Sequence, residues 1–235
     1  ESAGAEGRIN ISEDTYNVVH NFFDCENRGK MTVKNGKQLV MYFVKGIVPE
    51  LSENGEGKKP NALFHTKYQQ LHFADLSEYI FDWLEKKLPK DLYYHNTRHT
   101  QDVVIQVEII GRAEGVTEEE LLILQTAALL HDSGHVISYA EHERVGVDMA
   151  YQTLPNFGYS PEQIEQVGRL IMATKMPVHP TTLLEKIICD ADLDYLGRLD
   201  YTNGAHNLYQ ELRERGMVGD EAAWVGQQIE FINRH

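Results

Sequence analysis

From about residue 62 onward, apolar positions recur with a helical period almost to the end of the chain. Leu76, Tyr79, Ile80, Trp83, Leu84 and Leu88 make one such stripe, and Pro89 stops it. Val103, Val104, Val107 and Ile110 predict a second helix that closes between Gly111 and Gly115. Thr117-x-x-Glu120 is a capping box ahead of Leu121, Leu122, Leu124, Ala127, Ala128, Leu129 and Leu130. Ser160-Pro161-x-Gln163 opens another helix before Ile164, Val167, Leu170 and Ile171. Thr182-x-x-Glu185 opens one more, and the stretch from Asp220 is periodic again through Trp224, Val225, Ile229, Phe231 and Ile232.

The first 50 residues read differently. Arg8-Ile9-Asn10-Ile11 alternates in polarity, and Ser12 caps a helix that carries Tyr16, Val18 and Val19. Residues 30–34 and 38–44 are rich in strand formers, and Asn35-Gly36 between them predicts a hairpin turn. Residues 51–61 are polar and hold three glycines or prolines among their charges, so they read as a linker. The expected organisation is a small α+β segment over residues 1–50, a linker over 51–61 and a mainly α domain over 62–235.

Charge narrows the function. The chain has 22 basic and 36 acidic residues, a formal charge of -14, which argues against binding a nucleic-acid backbone. A nucleotide remains open, because a metal ion supplies positive charge locally. No apolar run approaches the roughly 18–20 residues that span a bilayer, and no signal peptide is visible, so no membrane partner is expected. The two cysteines, Cys25 and Cys189, lie far apart. A reduced, cytoplasmic protein is the expectation from such usage.

The candidate chemistry lies in histidines and acids. His95 and His99 are four residues apart, which places them on one face if both are helical; a capping and a core histidine is the alternative. Asp102 could orient a neighbouring imidazole. His131-Asp132 ends an apolar helix, so both polar groups are carried inward, where leaving them unpaired is costly. A metal or a mutual hydrogen bond satisfies them. His135 and His142 are candidates for a second metal or its water ligands, or for solvated loop positions. His179 lies between Pro177 and Pro180 on a loop, and of Asp190, Asp192 and Asp194 the middle one is favoured as a ligand.

At these residues the chain resembles the HD superfamily of metal-dependent phosphohydrolases, and within it the cyclic-nucleotide phosphodiesterases. Residues 94–103, Tyr-His-Asn-Thr-Arg-His-Thr-Gln-Asp-Val, are similar to that family's Y-H-N-x-x-H-x-x-D-V motif. His131-Asp132-Ser133-Gly134-His135 is similar to its H-D-x-D-H, and Ala173-Thr174-Lys175-Met176-Pro177-Val178-His179 to A-T-D-M-x-x-H. Ala191-Asp192-Leu193 resembles the end of H-C-A-D-L, and Gln227-Gln228-Ile229-Glu230-Phe231-Ile232 resembles S-Q-V-G-F-I. Three positions depart: Gly134 and Lys175 stand where the family has Asp, and Cys189-Asp190 where it has His-Cys.

The resemblance implies an HD-domain helical bundle with two divalent ions, of zinc, iron, manganese or magnesium. It implies metal ligation by His99, His131, Asp132 and Asp192, with Asp132 shared between the ions and His135 and His142 near the second. His95 is then the proton donor, and Gln228 and Phe231 hold a purine. The implied reaction is hydrolysis of a 3′,5′-cyclic nucleotide to the 5′-monophosphate. A different nucleotide phosphohydrolase, or a nucleotide-binding regulatory module without turnover, is the alternative.

The start of the chain has its own resemblance. Gly7-Arg8-Ile9-Asn10-Ile11-Ser12, Phe22-Phe23-x-Cys25-x-x-Arg28-Gly29 and Tyr42-Phe43-Val44-x-Gly46 are similar to the C-terminal end of a class III adenylate or guanylate cyclase domain. Lys34 resembles a lysine near that family's phosphate site, while the residues of cyclase catalysis would lie upstream. Such cyclases pair, so the resemblance implies a homodimer through this region.

Overall fold

The structure is a computed structural model that describes residues 4–33 and 36–234. Lys34 and Asn35, and with them the expected hairpin turn, lie outside the described residues. The chain divides into two compact units, residues 1–68 and 69–235.

The first unit holds β1 (Ile9–Ser12), α1 (Glu13–Val19), β2 (Phe23–Thr32) and β3 (Gln38–Ile47). The strands form an antiparallel sheet in the order β1-β3-β2, with Ile11 opposite Tyr42 and Thr32 opposite Gln38. Ser12 caps α1 by accepting the Thr15 amide. β2 begins well before the strand expected at residue 30. Its first half is polar, with Asp24, Glu26 and Asn27, and the ladder is interrupted by two register shifts, so no alternation marks it. Phe43 lies between two guanidinium groups, those of Arg8 at 3.9 Å and Arg28 at 3.8 Å from its ring centre.

The segment that reads as a linker is folded. Pro49–Leu51 and Glu53–Gly55 are short 3-10 turns, Ser52 bridges to Pro60, and the Ser52 hydroxyl accepts the Gly57 amide. Leu51 is buried beside Phe22 and Ile47, and Phe64 packs edge-on against Phe22. Glycine and polar content hid these turns because they satisfy their backbone locally and bury a single leucine.

Phe64 belongs to α2 (Ala62–Lys87), after which come α3 (Thr97–Glu114), α4 (Glu118–Leu130), α5 (His142–Thr153), α6 (Pro161–Ala173), α7 (Leu183–Asp192), α8 (Tyr201–Glu214) and α9 (Glu221–Arg234). The fold is mainly α. The capping boxes read from sequence at Thr117, Ser160 and Thr182 are all formed. α4 is the centre of the second unit: from residue 121 to 130 only Gln125 escapes burial. A helix apolar all round must be covered on every side, and α3, α5, α6 and α7 cover it. Its one buried polar side chain, Thr126, bonds Tyr159 Oη at 2.8 Å and donates to the Leu122 carbonyl at 2.7 Å. No helix among the described residues is long and apolar enough to cross a membrane.

α5 approaches the end of α4 through Gly146, where an added Cβ would stand 2.9 Å from the Leu130 carbonyl oxygen and 3.4 Å from that of His131. Both obstacles are backbone and cannot rotate away. Gly146→Ala is therefore expected to destabilise by about 1–3 kcal/mol, as overpacking does, despite alanine's better helix propensity. Gly226→Ala in α9 meets nothing within 4 Å, and is expected to stabilise by roughly 0.5–1 kcal/mol. Urea unfolding of the two variants checks the opposite signs.

Candidate metal centre

α4 runs inward until its capping residue, His131, and Asp132 beyond it are buried. His131 Nδ1 is 2.8 Å from the Ala128 carbonyl. A carbonyl only accepts, so Nδ1 carries a proton and Nε2 faces the interior with its lone pair. The Asn96 side chain caps α3 by accepting the Arg98 and His99 amides. His99 thus lies in the first turn while His95 precedes the helix, so the two histidines do not share a helical face as their spacing suggests. Asp192 is the last residue of α7.

These three helix termini meet. His99 Nε2 lies 3.0 Å from Asp192 Oδ1, 3.3 Å from His131 Nε2 and 3.5 Å from Asp132 Oδ2. His131 Nε2 lies 3.2 Å from Asp132 Oδ2 and 3.4 Å from Asp192 Oδ1. Ligands held about 2.0–2.2 Å from one ion stand roughly 3.0–3.5 Å from each other, which is the spacing found. Asp132 Oδ2 is buried with no hydrogen-bond partner, and an imidazole lone pair faces a second imidazole. A divalent cation satisfies both, so the residues fit one. Burial alone would neutralise these groups. For His131 it is outweighed by Asp132 and Asp192, whose charges hold the imidazole well above the ordinary range. For Asp132 and Asp192 it is outweighed by the histidines, which hold both carboxyls below theirs. A bound cation would replace the protons in that balance.

The other oxygen of Asp132 faces a second group. Oδ1 is 3.5 Å from His142 Nε2 and 3.7 Å from His135 Nε2. His95, Asp132 and His135 also offer ligand atoms within 4.8 Å of one another. His135 is buried, neither ring nitrogen has a partner, and burial pushes its pKa down to about 3, so it is neutral and free to bind. Its ring stacks on His142 at 3.9 Å. Gly134 allows this packing: a Cβ there would fall 1.9 Å from the His142 carbonyl oxygen. No acid can occupy that position in this backbone, which accounts for the departure from H-D-x-D-H.

The residue that sequence reasoning missed is Glu211, on α8. Its side chain is wholly buried and accepts from the Tyr94 amide at 2.9 Å, the His95 amide at 3.2 Å, His95 Nδ1 and the Tyr139 hydroxyl at 2.9 Å. The sequence carries one faint sign of it, a carboxylate three residues after Leu208 on the inward side of an amphipathic helix. With Glu211 and Asp132 beside it, His95 is held above the ordinary imidazole range against the opposing effect of burial. Asp102 does not orient an imidazole; it pairs with Arg198 at 3.1 Å. Asp194 also faces Arg198, at 3.8 Å, while Asp190 and His179 are exposed and stand apart from the cluster.

A cavity of about 440 Å³ opens onto His95, Asp132 and Asp192, and Gln228 and Phe231 of α9 line it. Gln228 Oε1 accepts the Tyr201 hydroxyl at 3.4 Å. The volume suits a nucleotide-sized ligand.

Two stretches of the chain are similar to known families. The HD domain model matches residues 97–194. The adenylate and guanylate cyclase catalytic domain model matches residues 1–46. No curated protein matches the chain. The crystal structure of a predicted HD superfamily hydrolase from an uncultured Thermotogales bacterium aligns at 23% identity with a TM-score of 0.45, covering 67% of this chain and 89% of its own.

Glu211 has a pKa lowered from 4.5 to about 2: burial opposes its charge, and bonds to His95, Tyr94 and Tyr139 overcome the opposition. A depressed carboxyl contributes stability that is complete above its ordinary value and disappears as pH falls through the folded one. Stability is therefore expected to drop between pH 4.5 and about 2, and Glu211→Gln to flatten that slope. Urea midpoints measured across this range give the comparison.

Proposed function

We propose, from the match of residues 97–194 to the HD domain model, that the chain is a metal-dependent phosphohydrolase that converts a 3′,5′-cyclic nucleotide to the 5′-monophosphate. The observation that carries the reading is the meeting of four ligand side chains, buried His99, His131 and Asp132 with half-buried Asp192, beside a cavity onto which His95 also opens. These four residues would hold the first ion; Asp132, with His135 and His142 close to it, would hold a second. Metal ions in such a site supply Lewis acidity toward phosphoryl oxygens and make water a nucleophile near neutral pH.

The chain's own groups do the rest. His95 Nδ1–H donates a hydrogen bond to the Glu211 carboxylate, so Nε2 is the nitrogen left to act. Glu211 favours the imidazolium, and Nε2–H donates to O3′ as the P–O3′ bond breaks and water adds to phosphorus. The attacking water leaves OH on phosphorus and releases its other proton to solvent, and Glu211 holds the neutral ring in the same orientation until His95 regains a proton from solvent. Phe231 offers a face for the base and the Gln228 amide an edge, with Tyr201 fixing which way the amide points. The walls of the cavity formed by Leu193, Leu208 and Leu212 exclude bulk water around the base.

His131→Ala and Asp132→Ala are expected to lose bound metal and phosphohydrolase activity together. His95→Ala is expected to keep the metal and lose about 10²–10⁴-fold in kcat, the usual worth of a positioned proton donor. Elemental analysis and a product assay on cAMP, cGMP and linear 5′-monophosphates test these roles. Full activity in any of the three variants contradicts them, and turnover confined to linear monophosphates replaces the cyclic-nucleotide reading.

A further inference from the structure

The cavity presents an electrostatic difficulty for any phosphate ester. Asp132, Glu143 and Asp192 line it, and Glu143 is buried with Oε2 unpartnered. The whole chain carries -14. Metal ions offset the deeper acids, but a substrate approaching from solvent first meets the rim. Among the described lining residues, Lys175 is the one lysine or arginine.

Lys175 is set there by the end of α6. Thr174 caps that helix and its hydroxyl bonds the Ile171 carbonyl at 2.8 Å, while the Lys175 amide reaches the Met172 carbonyl at 3.3 Å. The backbone is thus fixed and the four-carbon stem is free. Its ammonium pairs with Glu141 at 3.5 Å, a long contact between side chains that are 39% and 59% exposed. Glu141 does not line the cavity. An ion pair this open and this long is a weak tether, and a phosphoryl oxygen is a better partner for the same charge because both are then partly withdrawn from water.

We propose that Lys175 is a substrate-binding residue that leaves Glu141 to pair with a phosphoryl oxygen of the incoming substrate. The proposal rests on the reading of the cavity as a phosphate-ester site. It assigns to this chain a recognition element that the A-T-D-M-x-x-H motif it resembles, with Asp at that place, lacks. Lys175 acts on binding and not on the proton transfers, so it moves KM and leaves kcat.

The test combines steady-state kinetics on cAMP and cGMP with calorimetric binding of 5′-AMP at low and high salt, using the full chain loaded with manganese. Lys175→Ala is expected to raise KM and the Kd for 5′-AMP about tenfold and to hold kcat within about threefold. It is also expected to flatten the salt dependence of binding. Lys175→Arg is expected to keep most of the affinity and Lys175→Gln to lose it. Glu141→Gln, which removes the competing partner, is expected to tighten binding by about twofold. KM and Kd within about twofold of wild type in Lys175→Ala overturn the proposal, and so does a wild type that fails to bind 5′-AMP. A wild type that binds 5′-AMP through Lys175 yet turns over no cyclic nucleotide sinks the proposed reaction and leaves this inference standing.

Discussion

The cost of placing Asp132 inside the protein governs the rest of the second unit. Its carboxylate follows directly on a helix that is buried nearly all along its length, and one of its oxygens has no hydrogen-bond partner. A lone buried carboxylate would take up a proton before it stayed charged. This one stays charged because the adjacent His131, with His95, outweighs its burial, and imidazoles lie near both oxygens, His99 and His131 by one and His135 and His142 by the other. A charge so placed is an attractor for cations.

The scaffold makes the convergence possible by removing side chains where backbones must touch. Gly146 lets α5 come against the end of α4, and Gly134 lets the turn after Asp132 come against the start of α5. The first contact anchors the segment that carries His131; the second stacks His135 on His142. Neither glycine needs a positive φ. Each is small because a carbonyl oxygen occupies the space a Cβ would need, so local turn rules do not reveal either one.

Two kinds of electrostatics are kept apart in the site. One oxygen pair and two imidazoles are poised for a cation, and a third imidazole, His95, is poised for a proton. What separates them is Glu211, a fully buried carboxylate whose oxygens are satisfied by two backbone amides, a hydroxyl and His95 itself. It commits one nitrogen of His95 to a hydrogen bond and raises the ring's affinity for protons. The same helix delivers Leu208 and Leu212 to the cavity wall, so the polarity of the donor and the apolarity of the base pocket come from adjacent positions on α8.

Helix periods, capping boxes and the stop at Pro89 were legible in the chain because they depend on neighbours within a few residues. The mainly α character, the caps at Thr117, Ser160 and Thr182, and the apolar core around Leu122, Leu129 and Ile171 follow from such local rules. The motifs holding His99, His131, Asp132 and Asp192 were likewise visible as residue types. Their meeting was not, since each lies at the end of a different helix and a period says nothing about where two helix ends cross. Tertiary structure also decided that Asp102 serves Arg198, that His95 sits ahead of α3, and that residues 51–61 fold into turns around Leu51. Above all it decided the role of Glu211, an ordinary helix glutamate by sequence. Its chemistry comes from four donors, three of them more than a hundred residues away along the chain and all of them brought to it by packing.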